Sequence, residues 1–372
     1  MNKILKFPLL FAFICSFLCS CSDSNQEVNP TDPTTVWVPL RHPKRTDVPP
    51  FDSYFGSIDT IQLQLTDAES VVGKIWDLRC KDDTLFLCTR ENIFLFNTKG
   101  EFLYNINRRG RGPGEYVYIE HFDINPKERE IVILEMNGLR KFIIYSFEGQ
   151  FLRQIELPDI VNDFALLGNG DYLCYCPTYS GGRCKRGLWQ LDPEGNFKKQ
   201  LVELDDDYRY NIGLERYLVH INENQVGLIG SEDFDYFYQI SADTVIKSYK
   251  MKTDIRFPDK YKKTNDYPDE SSDVYCKFDY YETDSLLLFS LMRGIEDEVQ
   301  VIYNKNSGKT TRYYQDEIDS YTRPDIKPRL ITSYKSSLYY CFDAATVLNN
   351  DSYRLKFPNV TENSNPVLFV TH

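Results

Sequence analysis

The sequence predicts an all-β fold, a six-bladed β-propeller built from four-stranded blades. Three observations carry that prediction. A two-strand unit with a glycine turn recurs at spacings of 49, 46 and 49 residues. A second strand pair precedes the clear copies, which makes four strands per repeat. A lone alternating strand near the start has no hairpin partner in sequence, as a ring-closing strand would not. The 27 tyrosines and 24 phenylalanines among 372 residues suit strands, and runs with apolar residues at helical spacing are scarce.

In chain order, residues 1–20 read as a targeting leader. Lys3 and Lys6 precede an apolar stretch, Leu9 to Leu18, too short for a spanning helix. Leu18-Cys19-Ser20-Cys21 resembles a bacterial lipobox, with Cys21 as the lipidated residue of the mature N-terminus. The other reading is an ordinary secretory signal cleaved nearby. Residues 21–56 follow as a flexible tether rich in proline and small polar residues. The propeller is assigned to 57–372.

Ile58 to Leu65 alternates apolar and polar residues. The repeat then begins. Its five copies are Ile93–Leu103, Phe142–Leu152, Leu188–Phe197, Phe237–Val245 and Val301–Thr310, with turn glycines Gly100, Gly149, Gly195 and Gly308; the fourth copy has none. Glycine supplies the positive φ of a tight hairpin turn. The preceding pairs turn at Lys81-Asp82-Asp83, Pro126-Lys127-Glu128 and Gly168-Asn169-Gly170. Between the fourth and fifth copies the polar stretch Thr253–Asp273 reads as an inserted loop. A sixth blade would use Ile331–Tyr334, Ser337–Phe342, Tyr353–Phe357 and Val367–Val370, with Ile58–Leu65 pairing beside it to close the ring. A β-sandwich is the main rival, but a repeat of this regularity is not a sandwich feature.

Charge and cysteines exclude some partners. The net charge of −12 argues against nucleic acid, whose phosphates need a basic footprint. It also argues against general adhesion to an anionic membrane. Beyond the leader and Cys21, seven cysteines lack the spacing of a disulfide framework. Cys184 could pair with Cys174 or Cys176, or all three are simply core residues.

Gly110-Arg111-Gly112-Pro113-Gly114-Glu115-Tyr116 and the terminal Asn365-Pro366-Val367-Leu368 resemble motifs of the six-bladed β-propeller lipoproteins of Gram-negative gut bacteria, which are NHL-like in architecture. With the lipobox and repeats, the resemblance covers the whole chain. It implies a propeller in the cell envelope, as an outer-membrane lipoprotein, and implies no particular activity.

Two groups of residues are candidates for chemistry. Arg108, Arg109 and Arg111 crowd a glycine-rich turn and could hold an anionic ligand such as a uronic acid or a phosphate; alternatively they pair with acids at a joint between blades. His121 follows that joint and could line the axial channel or be a structural histidine. Propeller lactonases hold a divalent ion on acidic side chains in the channel, and Asp77, Asp123 and Asp163 occupy comparable places near first strands. The alternative is that acids are merely abundant. His42, His121, His220 and His372 show no metal or catalytic spacing, and no nucleophile-elbow motif is present.

The function expected from these features is a lipid-anchored binding or scaffold module, without a cofactor, for a glycan, a peptide or an envelope protein. One alternative is a metal-dependent hydrolase or lyase using a cation such as Ca²⁺. A third is an accessory subunit of an outer-membrane uptake or sensing complex.

Overall fold

Six sheets form the body of the protein among the described residues, five of four antiparallel strands and one with a fifth, parallel strand added at its edge. The computed structural model describes residues 33–40, 51–54, 57–135, 140–176, 185–204, 216–229, 236–242, 244–255, 276–293, 297–314, 329–334 and 336–372. The leader, Cys21, Cys184 and most of the 253–273 insertion lie outside the described residues. Two strands precede the first blade, β1 (Thr34–Val38) and β2 (Ile58–Gln62). Blade 1 is β3 (Asp77–Lys81), β4 (Thr84–Cys88), β5 (Ile93–Asn97) and β6 (Phe102–Ile106). Blade 2 is β7 (Ile119–Asn125), β8 (Glu130–Glu135), β9 (Lys141–Ser146) and β10 (Phe151–Glu156). Blade 3 is β11 (Asp163–Leu166), β12 (Tyr172–Cys176), β13 (Gly187–Leu191) and β14 (Phe197–Glu203). Blade 4 is β15 (Leu218–Asn222), β16 (Gln225–Ile229), β17 (Tyr236–Ile240) and β18 (Val245–Thr253). Blade 5 is β19 (Cys276–Glu282), β20 (Leu286–Arg293), β21 (Asp297–Asn304) and β22 (Lys309–Tyr314). Blade 6 starts with β23 (Arg329–Tyr334) and β24 (Ser337–Phe342).

Burial explains why these sequences suit these positions. Ile131 to Leu134 of β8, and all of β12 and β13, are buried on both faces because neighbouring blades sandwich them. Rim strands such as β10 keep an exposed face. Aromatic residues fill the wedge between blades; Phe142 packs on Phe164 and Tyr172 at centroid distances of 4.5 and 4.8 Å. The repeat's turn glycines Gly100, Gly149, Gly195 and Gly308 all have positive φ, between 66° and 87°.

The ring closes as expected. The last strand, β25 (Val367–Thr371), pairs with β24 on one side and with β2 on the other. His372 seals the seam, its Nε2 lying 3.1 Å from Asp59 Oδ2 and its Nδ1 2.9 Å from Ser337 Oγ. Asn365 ties the blade 6 end to the approach to blade 1. Its amide donates to the carbonyls of Gln64 and Ser70 at 2.9 and 2.7 Å, and its carbonyl accepts from Val72 N at 2.8 Å.

Two sequence expectations are corrected. Tyr353–Phe357 is not a strand: helices α1 (Ala344–Leu348) and α2 (Asp351–Lys356) fill that stretch, and the fourth strand of blade 6 comes from β2. The assigned tether is not free throughout either. Its residues 34–38 form β1, which pairs in parallel with β18 as a fifth strand of blade 4. Val36, Val38 and Leu40 are buried there, and Leu40 N donates to Asp254 Oδ1 at 2.6 Å. Valine and threonine outweigh the flanking prolines because an open edge strand offers a row of unpaired donors and acceptors. No helix among the described residues is long and apolar enough to cross a membrane.

Candidate functional site

The first strand of each blade faces the axis, and alternate residues of a strand share a face. Asp77 and Arg79 on β3, and His121 and Asp123 on β7, are therefore paired axial positions. Asp163 opens β11, Arg216 stands two residues before β15, and His220 lies on β15. These seven side chains meet in the channel as one network.

Arg79 donates from Nη1 to Asp77 Oδ1 at 2.6 Å and from Nε to Asp123 Oδ1 at 2.9 Å. Arg216 reaches across the axis to Asp77 Oδ2 at 2.6 Å and approaches Asp163 Oδ1 at 3.5 Å. His220 Nε2 lies 2.7 Å from Asp123 Oδ2. Backbone amides complete the shell: Leu166 N donates to Asp123, and Tyr217 N and Leu218 N donate to Asp163. Leu78 N, Ile124 N and Phe164 N each cap the aspartate preceding them.

The same burial has different consequences for each group. For Arg79, burial disfavours the cation, but Asp77 and Asp123 more than offset it and hold the guanidinium charged. For Asp123, burial is overridden by His220, Arg79 and hydrogen bonds, so its carboxyl sits well below the usual range. Asp163 has weaker compensation: burial wins over Arg216 and the backbone donors, and its carboxyl is raised. His121 is pushed well below the usual imidazole range, first by burial and then by Arg216. It is neutral, with Nδ1 accepting from Arg216 Nη1 at 3.3 Å and Nε2 4.0 Å from Asp163 Oδ1.

The structure thus brings Asp77, Asp123 and Asp163 together, and the cations they face are arginines. All six of their carboxylate oxygens already accept a hydrogen bond or ion pair. A divalent ion would have to displace a guanidinium, so this donor set does not fit one. Among the described residues no group of three or more His, Cys, Asp or Glu is arranged to hold a metal. Arg79, Arg216 and His220 escape sequence reasoning. Arg79 had a visible signal, standing two residues after Asp77 on a first strand. His220 and Arg216 meet the others only through ring closure.

Beside this network a cavity of about 280 Å³ opens toward the turns that end the first strands. Arg79, Asp123 and His220 line its inner wall, and Thr332, Ser333 and Tyr339 line another side. At its rim Lys81 Nζ on blade 1 pairs with Glu223 Oε1 on blade 4 at 3.2 Å. On the other side of the network a void of about 30 Å³ has room for roughly one water.

The Arg108/Arg109/Arg111 joint lies apart from His121. All three arginines are exposed. Glu115 does not pair with them; its Oε2 accepts from Gly112 N at 2.7 Å. Arg109 pairs with Glu91 at 3.2 Å and covers the Tyr118 ring at 4.9 Å. Tyr116 is fully buried, its hydroxyl within hydrogen-bond reach of the carbonyls of Ile106 and Glu91. The joint is therefore a tight structural turn that leaves arginines on its surface. Cys174 and Cys176 are buried in blade 3.

A crystal structure of a Bacteroides fragilis protein described as exported aligns over 91% of this chain and 99% of its own, at 18% identity and a TM-score of 0.78. A member of the DUF4221 family from Bacteroides vulgatus aligns over 85% of this chain and 96% of its own, at 9% identity and a TM-score of 0.47. At 18% identity the first of these likenesses shows the fold alone. No curated protein sequence matches the chain. The model of a domain of unknown function, DUF4934, matches residues 43–372. That span takes in all six blades and leaves out only β1 among the described strands, and the chain belongs to this family.

Proposed function

We propose that the protein is a cell-envelope binding module, anchored by lipid at Cys21, that takes a small polar ligand in the axial cavity. The observation that carries this is the roughly 280 Å³ cavity, which ends on a pre-formed, fully ion-paired wall. Ligand sites are concave, preformed and lined by a few fixed polar groups. Here Arg79, Asp123 and His220 are fixed by each other, while Lys81 offers a cation at the rim and Thr332 a hydroxyl on the side wall. A glycan end or a short peptide has the size and polarity for such a pocket. The leader and lipobox support an envelope location, as does the description of the Bacteroides fragilis neighbour as exported.

A thermal-shift screen of the full chain against mono- and disaccharides and dipeptides tests the cavity. Hits are expected to stabilise wild type and to lose that effect in Lys81→Ala and Thr332→Val. Hits that survive both substitutions would move the site elsewhere. Palmitate labelling tests the anchor: label retained in Cys21→Ala contradicts it. A stabilising response to Ca²⁺ that chelator reverses would favour the hydrolase or lyase reading instead.

A further inference from the structure

A second feature stands apart from the axis. Two depressions, about 530 and 650 Å³, meet on blade 1 and share Val71, Asn92 and Phe94 in their walls. Where they meet, the β4–β5 turn carries three anomalies within three residues. Arg90 is a non-glycine residue in the left-handed region, at φ 67°. Its Nε is buried without a hydrogen-bond partner, and so is Oδ1 of Asn92.

Each anomaly has a cost. Left-handed backbone is strained for a side chain of this size and concentrates at functional sites. A shielded donor or acceptor left unmade forfeits its hydrogen bond to water, so native structures hold few of them. An orphan donor and an orphan acceptor two residues apart are what a ligand bearing both hydroxyl and acceptor groups would satisfy.

The surrounding side chains specify the ligand further. Lys74 and Arg90 lie over the Trp76 ring at 3.8 and 4.4 Å. Tyr118, an exposed aromatic, forms part of the same wall under Arg109. Arg108 lines the adjoining depression. Cations lodged over aromatic rings are placed to meet an anion. Glu91, Glu69 and Glu148 line the same walls, but Glu91 pairs with Arg109 and Glu148 with Arg129, so Lys74 and Arg108 are the cations the groove presents.

We infer that this blade 1 groove binds an anionic oligosaccharide. Acidic groups would meet Lys74 and Arg108, since Arg90 Nη1 is already paired with Glu120 Oε2 at 3.0 Å, and ring hydroxyls would meet Asn92. The inference deepens the binding-module reading but uses a different site, so either can fail alone.

The test is titration calorimetry of the full chain with a galacturonate tetramer, a sulfated tetrasaccharide, a neutral galactose tetramer and a hexaglutamate peptide. At least one acidic sugar is expected to bind about tenfold more tightly than the neutral one, an energy scale that one or two charge-assisted hydrogen bonds supply. The carboxylate and sulfate arms distinguish the source of the charge. Lys74→Ala/Arg108→Ala, both exposed positions, should weaken that binding about tenfold, whereas Lys81→Ala should not change it. No binding of either acidic sugar, equal binding of the neutral tetramer, or indifference to the double substitution overturns the proposal. Hexaglutamate binding as tightly as the sugars overturns it in favour of an acidic-peptide site.

Discussion

Arg79 on blade 1 and Asp123 on blade 2 are joined by an Nε–Oδ1 contact of 2.9 Å, with both side chains buried. The pair links adjacent blades at the axis, where no backbone ladder does. Asp123 also faces His220 of blade 4, and Arg79 also holds Asp77, which Arg216 reaches from blade 4. The axis is therefore closed by charge pairs that run between blades.

Removing one partner should be costly. Asp123→Asn leaves Arg79 half-paired at a buried position and should destabilise by about 3–5 kcal/mol in urea unfolding. Arg79→Met/Asp123→Leu should cost clearly less than the two single changes summed. Additive losses would mean the pair is not coupled.

Acid should weaken the fold through His121. Its folded-state pKa is lowered, so below the unfolded value of about 6.5 the unfolded chain binds a proton that the folded chain refuses. Stability then falls as pH drops, by at most about 1.4 kcal/mol per pH unit. Asp123, with its lowered carboxyl, adds to the loss only as pH falls below the unfolded value of about 4. Asp163, with its raised carboxyl, acts in the opposite sense, since the folded chain holds that proton more tightly. His121→Gln should flatten the profile between pH 6.5 and 5; unchanged slopes would refute the assignment.

Asn365 should be sensitive out of proportion to its size. Asn365→Ala removes three hydrogen bonds at a buried seam and should cost about 2–4 kcal/mol. Asn365→Asp should cost at least as much, because a carboxylate cannot donate to the carbonyls of Gln64 and Ser70. A melting temperature within a degree of wild type for both would show the seam to be held elsewhere.

The two glycines flanking the joint should respond differently. Gly114 sits at φ 72°, and an added Cβ would lie 2.6 Å from the Phe151 ring. Gly114→Ala combines backbone strain with a clash and should cost about 2 kcal/mol or more. At Gly110 the added Cβ would meet the tip of Glu115 at 1.9 Å. That side chain can swing away at the expense of its bond to Gly112 N, about 1 kcal/mol. Chemical denaturation of both variants checks the order, and the reverse ranking would contradict the geometry.

The N-terminal strap should be part of the fold's stability. Val36→Ala/Val38→Ala removes buried methyl groups between β18 and blade 5 and should cost about 2–4 kcal/mol. Limited proteolysis should then cut near residues 33–40 faster than in wild type. Identical cleavage rates would mean the strap is not held.

Much of the fold is legible in local sequence because strands, tight turns and repeats are local. The glycine turns, the pairs preceding them and the alternation of Ile58–Gln62 all read through. Two stretches did not. Tyr353–Phe357 looks strand-like by composition, yet Asp343 caps the helix before it, its Oδ1 accepting from Thr346 N at 2.7 Å, and β2 already fills that edge. Thr34–Val38 sits in a proline-rich stretch whose partner, β18, lies more than two hundred residues away.

The sequence by itself determined the blade number and the closing strand, because each follows from a repeat or a two-residue period; Asp77, Asp123 and Asp163 it offered only as candidates near first strands. Only the tertiary structure decided what those acids do. Arg79, Arg216 and His220 come from different blades, and closing the ring brings them within hydrogen-bond distance of Asp77, Asp123 and Asp163. Burial then makes pairing obligatory, since an unpaired charge in that channel would cost more than the fold could spare. The orphan atoms of Arg90 and Asn92 were equally invisible beforehand, because being unpartnered is a property of the surroundings and not of a residue.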